Sequence, residues 1–350
     1  MYNFALVGCG RIAQKHAELL GGEKINKAKL VAVCDIDPIK SKKLSSKYKV
    51  NSYTDMDLMM LSEKIDVVCV LTESGNHCKH VVNLSKYKSH IIVEKPMALT
   101  VSDCKKMIQA CKNNKIKLFI VKQNRFNIPV QKIKKDIEKK IFGKIFLTTI
   151  RVRWSRNNQY YNLGKWRGTW KMDGGVLANQ AIHHIDLLEW FSGEIESVYA
   201  IGMNALAKIE VEDTALAIIK FKNNKSVGLI EATTATRPKD IEGSISILGS
   251  KGNAEIGGFA VNKLINYNLN SKTKLNLSKF SYNPPNVYGY GHHKYYEHVI
   301  RCLDGKEAIL VDGYSGLRSV QVIQSIYSSM ERKRELKISS KNFHSKLGKA

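Results

Sequence analysis

Apolar positions follow two regimes along the chain. From residue 1 to about 122, short β-branched runs alternate with stretches whose apolar side chains recur every three or four positions. Such alternation predicts parallel strands joined by helices. Strands are expected over residues 2–7, 30–34, 66–71, 89–93 and 117–121. Helices are expected up to Gly21, from about Pro38, and over 75–85 and 100–114, the last begun by Thr100 with Asp103 three positions on. Beyond Val121 the pattern changes. A helix over 129–140 precedes strands over 144–153, 213–221, 226–233 and 244–248, and helices over 292–303 and 313–330 close the chain. Residues 268–285 are polar and read as a loop, and the basic tail from Lys341 reads as frayed. The expected fold is α/β, with an N-terminal Rossmann doubly wound parallel sheet and a C-terminal α+β domain built on a largely antiparallel open sheet. The boundaries are 1–122 for the nucleotide domain, 123–335 for a substrate and oligomerisation domain, and 336–350 for the tail.

Composition narrows this picture. The chain has 350 residues, 43% of them apolar, which suits two packed domains, and it has no apolar run long enough for a membrane span. A strand begins almost at the first residue, so no export signal is expected. The seven cysteines include no C-x-x-C pair, and Cys34 and Cys69 lie inside apolar strand patterns. A reducing cytoplasm and no metal centre are therefore expected. The net charge of +25 raises nucleic acid as a partner. Its lysines are dispersed, however, and the densest run, residues 132–140, mixes acids and bases at helical spacing. That is a solvated helix face, and neither nucleic acid nor membrane is expected as a partner. The charge instead favours steering of small anionic ligands.

Candidate chemistry starts at Gly8-Cys9-Gly10-Arg11-Ile12-Ala13, a G-x-G-x-x-A turn between the first strand and its helix. The first glycine permits the turn, the second lets backbone approach a pyrophosphate, and the helix N-terminus faces the anion. The second strand ends at Asp35, 25 residues beyond Gly10, where a carboxylate can accept adenosine ribose hydroxyls and repel a 2′-phosphate. NAD is thereby preferred, while Lys40, Lys42 and Lys43 leave a route to NADP. The competing role for Asp35 is a cap on the helix near Pro38. Candidate cofactor contacts are Gly8, Gly10, Arg11, Ile12, Asp35, Thr72, His77, Glu94 and Lys95. The last four follow the carboxyl ends of buried strands, where open parallel sheets bind ligands. Glu94 and Lys95 are expected to project into the crevice, and the bond to Pro96 is a candidate cis peptide.

In the second half, Leu177, Ala181, Ile185 and Leu188 recur at helical spacing, and Asn179, His183 and Asp186 fall at i, i+4 and i+7. One helix face then carries an amide, an imidazole and a carboxylate. A pair of histidines satisfied locally is the plainer account of His183 and His184 taken alone. The stretch from Trp154 to Trp170 mixes Arg156, Tyr160, Tyr161, Trp166 and Arg167, able to stack on a sugar or base and pair with anions, or equally to pack in a core or subunit interface.

The G-x-G-x-x-A turn, Glu94-Lys95-Pro96, Gln123-Asn124-Arg125-Phe126-Asn127 and the glycine pair leading to Asn179-x-x-x-His183-x-x-Asp186 occur in this order over residues 1 to about 335. Together they resemble the Gfo/Idh/MocA family of NAD(P)-dependent sugar oxidoreductases. The resemblance implies that Lys95 and His183 flank the reacting sugar hydroxyl. That family commonly has Asp where this chain has Asn179, and the departure resembles the branch acting on UDP-N-acetylglucosamine and its uronic acid in lipopolysaccharide biosynthesis, the nucleotide-sugar 3-dehydrogenases. Residues 70–75 and 166–170 resemble that branch too. A homodimer or homotetramer, and an aminotransferase acting next in the pathway, are implied by the resemblance alone.

As chemistry, loss of hydride from a carbinol carbon needs a base and a positive group beside the developing alkoxide. His183 suits the first role near neutral pH and Lys95 the second; a desolvated Lys95 is the alternative base. Expected substrate contacts are Lys95, Arg125, Trp166, Arg167, Asn179 and His183. Other readings are a dehydrogenase of a free sugar or cyclitol and a non-catalytic NAD-binding regulator.

Overall fold

The computed structural model describes residues 1–222, 226–270, 275–283, 289–338 and 345–349. Its first half runs β1 (Tyr2–Val7), α1 (Ala13–Leu20), β2 (Ala28–Cys34), α2 (Pro38–Tyr48), β3 (Asn51–Tyr53), α3 (Met56–Ser62), β4 (Val67–Val70), α4 (His77–Ser85), β5 (His90–Val93), α5 (Val101–Asn113) and β6 (Leu118–Ile120). The second half contains α6 (Ile128–Glu138), β7 (Ile145–Arg153), α7 (Asn158–Tyr161), α8 (Val176–Asn179), α9 (Ile182–Ser192), β8 (Ile195–Met203), β9 (Thr214–Phe221) and β10 (Val227–Thr233). It ends with β11 (Glu242–Gly249), β12 (Gly252–Gly257), β13 (Lys263–Leu269), α10 (Gly291–Leu303), α11 (Gly313–Arg332) and β14 (Leu336–Lys337).

Two compact units result. The first comprises residues 1–122 with 292–320, and the second 123–291 with 321–350. In the first, a six-stranded sheet has the order β3-β2-β1-β4-β5-β6. Every pairing in it is parallel, as the strand–helix alternation requires. β4 is buried along its whole length, and Ile91, Ile92 and Val93 of β5 are fully buried, which explains the uninterrupted apolar runs. Helix boundaries follow their caps. Asp37 accepts from Ile39 N–H with Pro38 in the first turn of α2, and Thr100 accepts from Asp103 N–H at α5. The cap of α2 is thus Asp37, which leaves Asp35 for another role.

Residues 292–320, read from sequence as part of the second half, pack with this sheet. Tyr295 and Tyr296 of α10 are fully buried, the Tyr296 ring meeting Phe4 edge-on at 5.8 Å, and Ile120 N–H donates to Val311 O at 2.8 Å. β3 and α3 are additions to the expected elements. Among the described residues β3 pairs only with β2, and it is polar and partly exposed, so it lacks the apolar run that marks a central strand.

The second unit holds an eight-stranded sheet in the order β13-β12-β11-β7-β10-β9-β8-β14. Its pairings are antiparallel except β10 with β7. β9 alternates buried Ala215, Ala217, Ile219 and Phe221 with outward Leu216, Ile218 and Lys220, and its buried face turns inward with those of β8 and β10. β13 crosses the first residues of the expected 268–285 loop; residues 271–274 and 284–285 of that loop lie outside the described residues. The tail is not wholly loose. Residues 341–344 lie outside the described residues, but Leu347 is buried and its carbonyl accepts from Gln324 Nε2 at 3.1 Å. Among the described residues no helix is long and apolar enough to cross a membrane.

Candidate active site

In the first unit the carboxyl edge of the sheet gathers the expected cofactor residues. Gly8 has φ +97°, and a Cβ there would lie 2.8 Å from the Leu71 carbonyl, so glycine is obligatory for both conformation and space. A Cβ on Gly10 would meet nothing within 4 Å, which leaves the backbone open to an approaching group. No side chain caps the N-terminus of α1, so its first turn keeps its donors for an anion. Asp35 Oδ2 accepts from Cys9 N–H at 2.7 Å and Oδ1 from Asp37 N–H at 2.9 Å. The acid therefore ties the glycine turn to the end of β2 and retains lone pairs for ribose hydroxyls. This donor set and cradle fit a dinucleotide.

The remaining edge residues are more enclosed than the sequence suggested. His77 is buried, its Nδ1 2.8 Å from Pro96 O and its Nε2 3.0 Å from Thr72 O. It bridges the segments that follow β4 and β5. Burial pushes its pKa down against the pull of those two carbonyls. Thr72 Oγ1 lies 2.9 Å from His80 Nδ1. The bond between Lys95 and Pro96 is cis. Lys95 is half-buried, whereas Glu94 is 6% exposed and its carboxylate faces the interior, not the crevice. Glu94 Oε1 lies 3.0 Å from His16 Nε2, and Oε2 accepts from Lys95 N–H at 3.0 Å. Burial raises the Glu94 pKa, but hydrogen bonds and charge from His16 and His292 outweigh it and hold the carboxyl well below its usual range. His16 was not singled out from sequence. Its signal was there: it falls with Ala13, Ala17 and Leu20 on the buried face of α1.

The second unit corrects the reading of residues 174–190. The helix is broken: α8 ends at Asn179 and α9 begins at Ile182, so i to i+4 spacing does not carry Asn179 onto the face of His183. Each side chain has its own partner. Asn179 Nδ2 donates to Asp173 Oδ1 at 2.5 Å, and Asp173 Oδ2 accepts from Gly168 N–H at 2.8 Å. A carboxylate thus lies one hydrogen bond behind the asparagine. Gln123 Nε2 donates to His183 Nε2 at 3.2 Å, and His183 is buried to 9% exposure. His184 is a core residue, edge-on to Trp154 at 6.0 Å, and burial pushes its pKa down to about 4.

Arg125, expected to meet a substrate anion, is instead buried and engaged. Its Nε and Nη2 bind Asp186 Oδ2 and Oδ1 at 2.7 and 2.8 Å, and its guanidinium lies 4.8 Å from the Trp190 ring centroid. Asp186 is taken up in the same pair, so it is not available as the carboxylate expected to offset Asn179. Trp154 and Tyr161 are buried, as core packing requires, but Trp166 and Arg167 are partly exposed. The Arg167 guanidinium sits 4.7 Å from the Tyr160 ring and 4.5 Å from the Trp166 ring and donates to Tyr160 Oη at 2.9 Å. A cavity of about 590 Å³ beside it is lined by Lys165, Trp166, Trp170, Lys171, Lys346 and Lys349 among others. Aromatic faces and four lysines are thus gathered in one place together with the carboxylates of Glu210 and Glu331, a polar surface that can stack a flat ring and leaves a cationic excess for an anion.

Comparison with known proteins agrees with both halves. Residues 2–122 match the oxidoreductase family model for the Gfo/Idh/MocA NAD-binding Rossmann fold, and residues 134–338 match that family's C-terminal α/β domain. Among solved structures, the chain is similar to the WlbA dehydrogenase of Chromobacterium violaceum in complex with NADH and UDP-GlcNAcA, with 36% identity, TM-score 0.91 and 97% of each chain covered. It is likewise similar to the Bordetella pertussis WlbA dehydrogenase in complex with the same two ligands, with 35% identity and TM-score 0.89 over 97% of this chain and 98% of that one. The myo-inositol 2-dehydrogenase of Thermotoga maritima is 28% identical over 71% of this chain and 72% of its own length. The glycine turn, the Asp35 anchor and both domain matches lead to one conclusion: the chain belongs to the Gfo/Idh/MocA oxidoreductase family and carries its NAD-binding Rossmann domain.

Proposed function

We propose that this protein oxidises the 3-hydroxyl of a UDP-N-acetylhexosamine, or of its uronic acid, to a 3-keto sugar, in the biosynthesis of lipopolysaccharide or another surface polysaccharide. The observation that carries the reading is the similarity, at 36% and 35% identity over 97% of this chain, to two dehydrogenases solved with NADH and UDP-GlcNAcA. NAD, when bound, supplies the hydride acceptor. In this reading His183 takes the hydroxyl proton. Its Nε2 lies 3.2 Å from Gln123 Nε2, and in this reading the ring exchanges that contact for the sugar hydroxyl when substrate binds. Lys95 supplies positive charge to the developing alkoxide. Asn179 holds the sugar as an amide donor and acceptor backed by Asp173, and Trp166 and Arg167 take the nucleotide side, supported by the aromatic and lysine-rich lining beside them. Cofactor contact falls to Gly8, Gly10, Arg11, Ile12, Asp35, Thr72 and the strand end at Lys95, with His77 and Glu94 holding that edge. A 3-keto product is a substrate for an aminotransferase, which we assign as the next enzyme. The assembly we propose is a homodimer or homotetramer in the cytoplasm.

A second reading, oxidation of a free cyclitol or sugar, is favoured by the similarity to a myo-inositol 2-dehydrogenase. Nicotinamide reduction at 340 nm separates the two, with UDP-N-acetylglucosamine, its uronic acid and myo-inositol offered in parallel, with and without 2-oxoglutarate. Turnover of a UDP-sugar alone supports the proposal, and consumption of 2-oxoglutarate would identify how the reduced cofactor is recycled. Turnover of myo-inositol alone would replace it with the second reading. NAD binding without turnover of any of the three would leave the regulator.

A further inference from the structure

We propose that Glu94 is a positioning residue, held by a buried hydrogen-bonded chain from Tyr296 through His16, and that it fixes the main chain of Lys95. The inference rests on the reading of Lys95 as a residue that touches the reacting hydroxyl.

The chain draws on three elements of the first unit. Tyr296 and His292 come from α10, His16 from α1 just behind the glycine turn, and Glu94 from the end of β5. Tyr296 Oη lies 2.5 Å from His16 Nδ1, and His16 Nε2 lies 3.0 Å from Glu94 Oε1. Glu94 Oε2 accepts the Lys95 N–H at 3.0 Å. His16 and Tyr296 are fully buried. A buried carboxylate must be paired or hydrogen-bonded. Here that demand makes the imidazole donate Nε2–H to the carboxylate, while its Nδ1 stands at hydrogen-bond distance from the tyrosine hydroxyl, which can donate or accept. Cys69 Sγ at 3.5 Å and His292 Nε2 at 3.8 Å complete the surroundings of Tyr296 Oη and Glu94 Oε1. With both carboxylate oxygens engaged, Glu94 has one orientation, and the peptide it holds belongs to Lys95. Displacing a reacting group by about 1 Å can cost roughly 100-fold in rate. The carboxylate therefore acts on turnover through the lysine and not by contact with cofactor.

The same three groups, His16, Glu94 and His292, place one ligand atom each within 4.8 Å of one another. A bound divalent metal is the competing account, and one set of variants separates the two. Full-length wild type, Glu94→Ala, Glu94→Gln, Tyr296→Phe and His292→Ala are compared by steady-state kinetics, by metal content, and by NMR of reductively ¹³C-methylated lysines, with the Lys95 resonance identified through Lys95→Arg. The expected result is a kcat about 100-fold lower in Glu94→Ala with KM for NAD within about twofold, and a moved Lys95 resonance. Glu94→Gln, whose amide oxygen still accepts the Lys95 N–H, recovers most of the rate, and Tyr296→Phe loses an intermediate amount. A rise in KM for NAD at unchanged kcat would overturn the proposal in favour of cofactor contact. Stoichiometric metal in wild type that is lost in His292→Ala would overturn it in favour of a metal site, and an unmoved Lys95 resonance in both Glu94→Ala and Tyr296→Phe would overturn it outright. The resonance needs no substrate, so it is read even if wild type oxidises no UDP-sugar, a result that would count against the function and not against the positioning role.

Discussion

Arg125 and Lys95 show how the setting of a charged side chain decides its work. Arg125 and Asp186 are each almost fully buried and doubly bonded to one another, so removing one leaves the other as an uncompensated charge. Arg125→Ala should therefore destabilise the protein by about 3–5 kcal/mol in denaturant melts. A substrate-contact role would instead raise KM at unchanged stability. Lys95→Met should lower kcat by roughly 10²–10⁴ fold while NAD binding, followed by quenching of tryptophan fluorescence, stays within a few-fold. Glu212 is a further residue that sequence reading did not reach. It is buried below α8, where Oε1 accepts from Leu177 N–H at 3.0 Å and from the Tyr327 hydroxyl at 2.9 Å. Burial pushes its pKa up from 4.5 to about 7, against those two hydrogen bonds. The folded value lies above the unfolded one, so Glu212 costs nothing below about pH 4.5. Stability then falls as pH rises to about 7, by roughly 3 kcal/mol in all, and this contribution is level above. Urea melts from pH 4 to 8 should show that decline in wild type and its absence in Glu212→Gln, which keeps the acceptor and cannot ionise.

Segments that build the site are fixed at their ends. α2 starts where Asp37 accepts from Ile39 N–H, and Asp37→Ala should lower the midpoint of thermal unfolding. Asp35, two residues earlier, holds the turn through Cys9 N–H, so Asp35→Ala should weaken NAD binding and narrow the preference over NADP, read by isothermal titration with both nucleotides. The contrast was half legible. Strand end, glycine turn and helix start were all visible in the sequence, but which of two nearby acids caps the helix depends on a backbone path that sequence spacing does not resolve. The break between α8 and α9 was hidden for a related reason. Residues 176–188 are apolar at helical spacing throughout, and the interruption at Gln180–Ala181 leaves that pattern intact. His183 and Asn179 stand out in the sequence as polar side chains in an apolar stretch, while their partners Gln123 and Asp173 are separated from them by 60 and 6 positions and emerge only on folding.

The second unit exposes an apolar patch on one face of its sheet. Tyr199, Ile218 and Leu229 are paired across β8, β9 and β10, and Ile201 stands beside Leu216 in the next outward row, all more than a third exposed. Contiguous apolar surface of this kind is what an association face presents. We expect Ile218→Glu to shift the protein from a larger species to monomer in analytical ultracentrifugation, with the far-UV dichroism unchanged. Sedimentation of wild type as a monomer would remove the proposed assembly.

Local pattern was enough for the parallel sheet, the dinucleotide turn and the family, because buried parallel strands need unbroken apolar runs and a pyrophosphate cradle needs glycines at fixed spacing. The inward turn of Glu94, the capture of Arg125 by Asp186, and the packing of residues 292–320 against the Rossmann sheet were decided only in three dimensions. Each depends on a partner distant in the chain, and a buried charge goes where its partner is, whatever its neighbours in sequence predict.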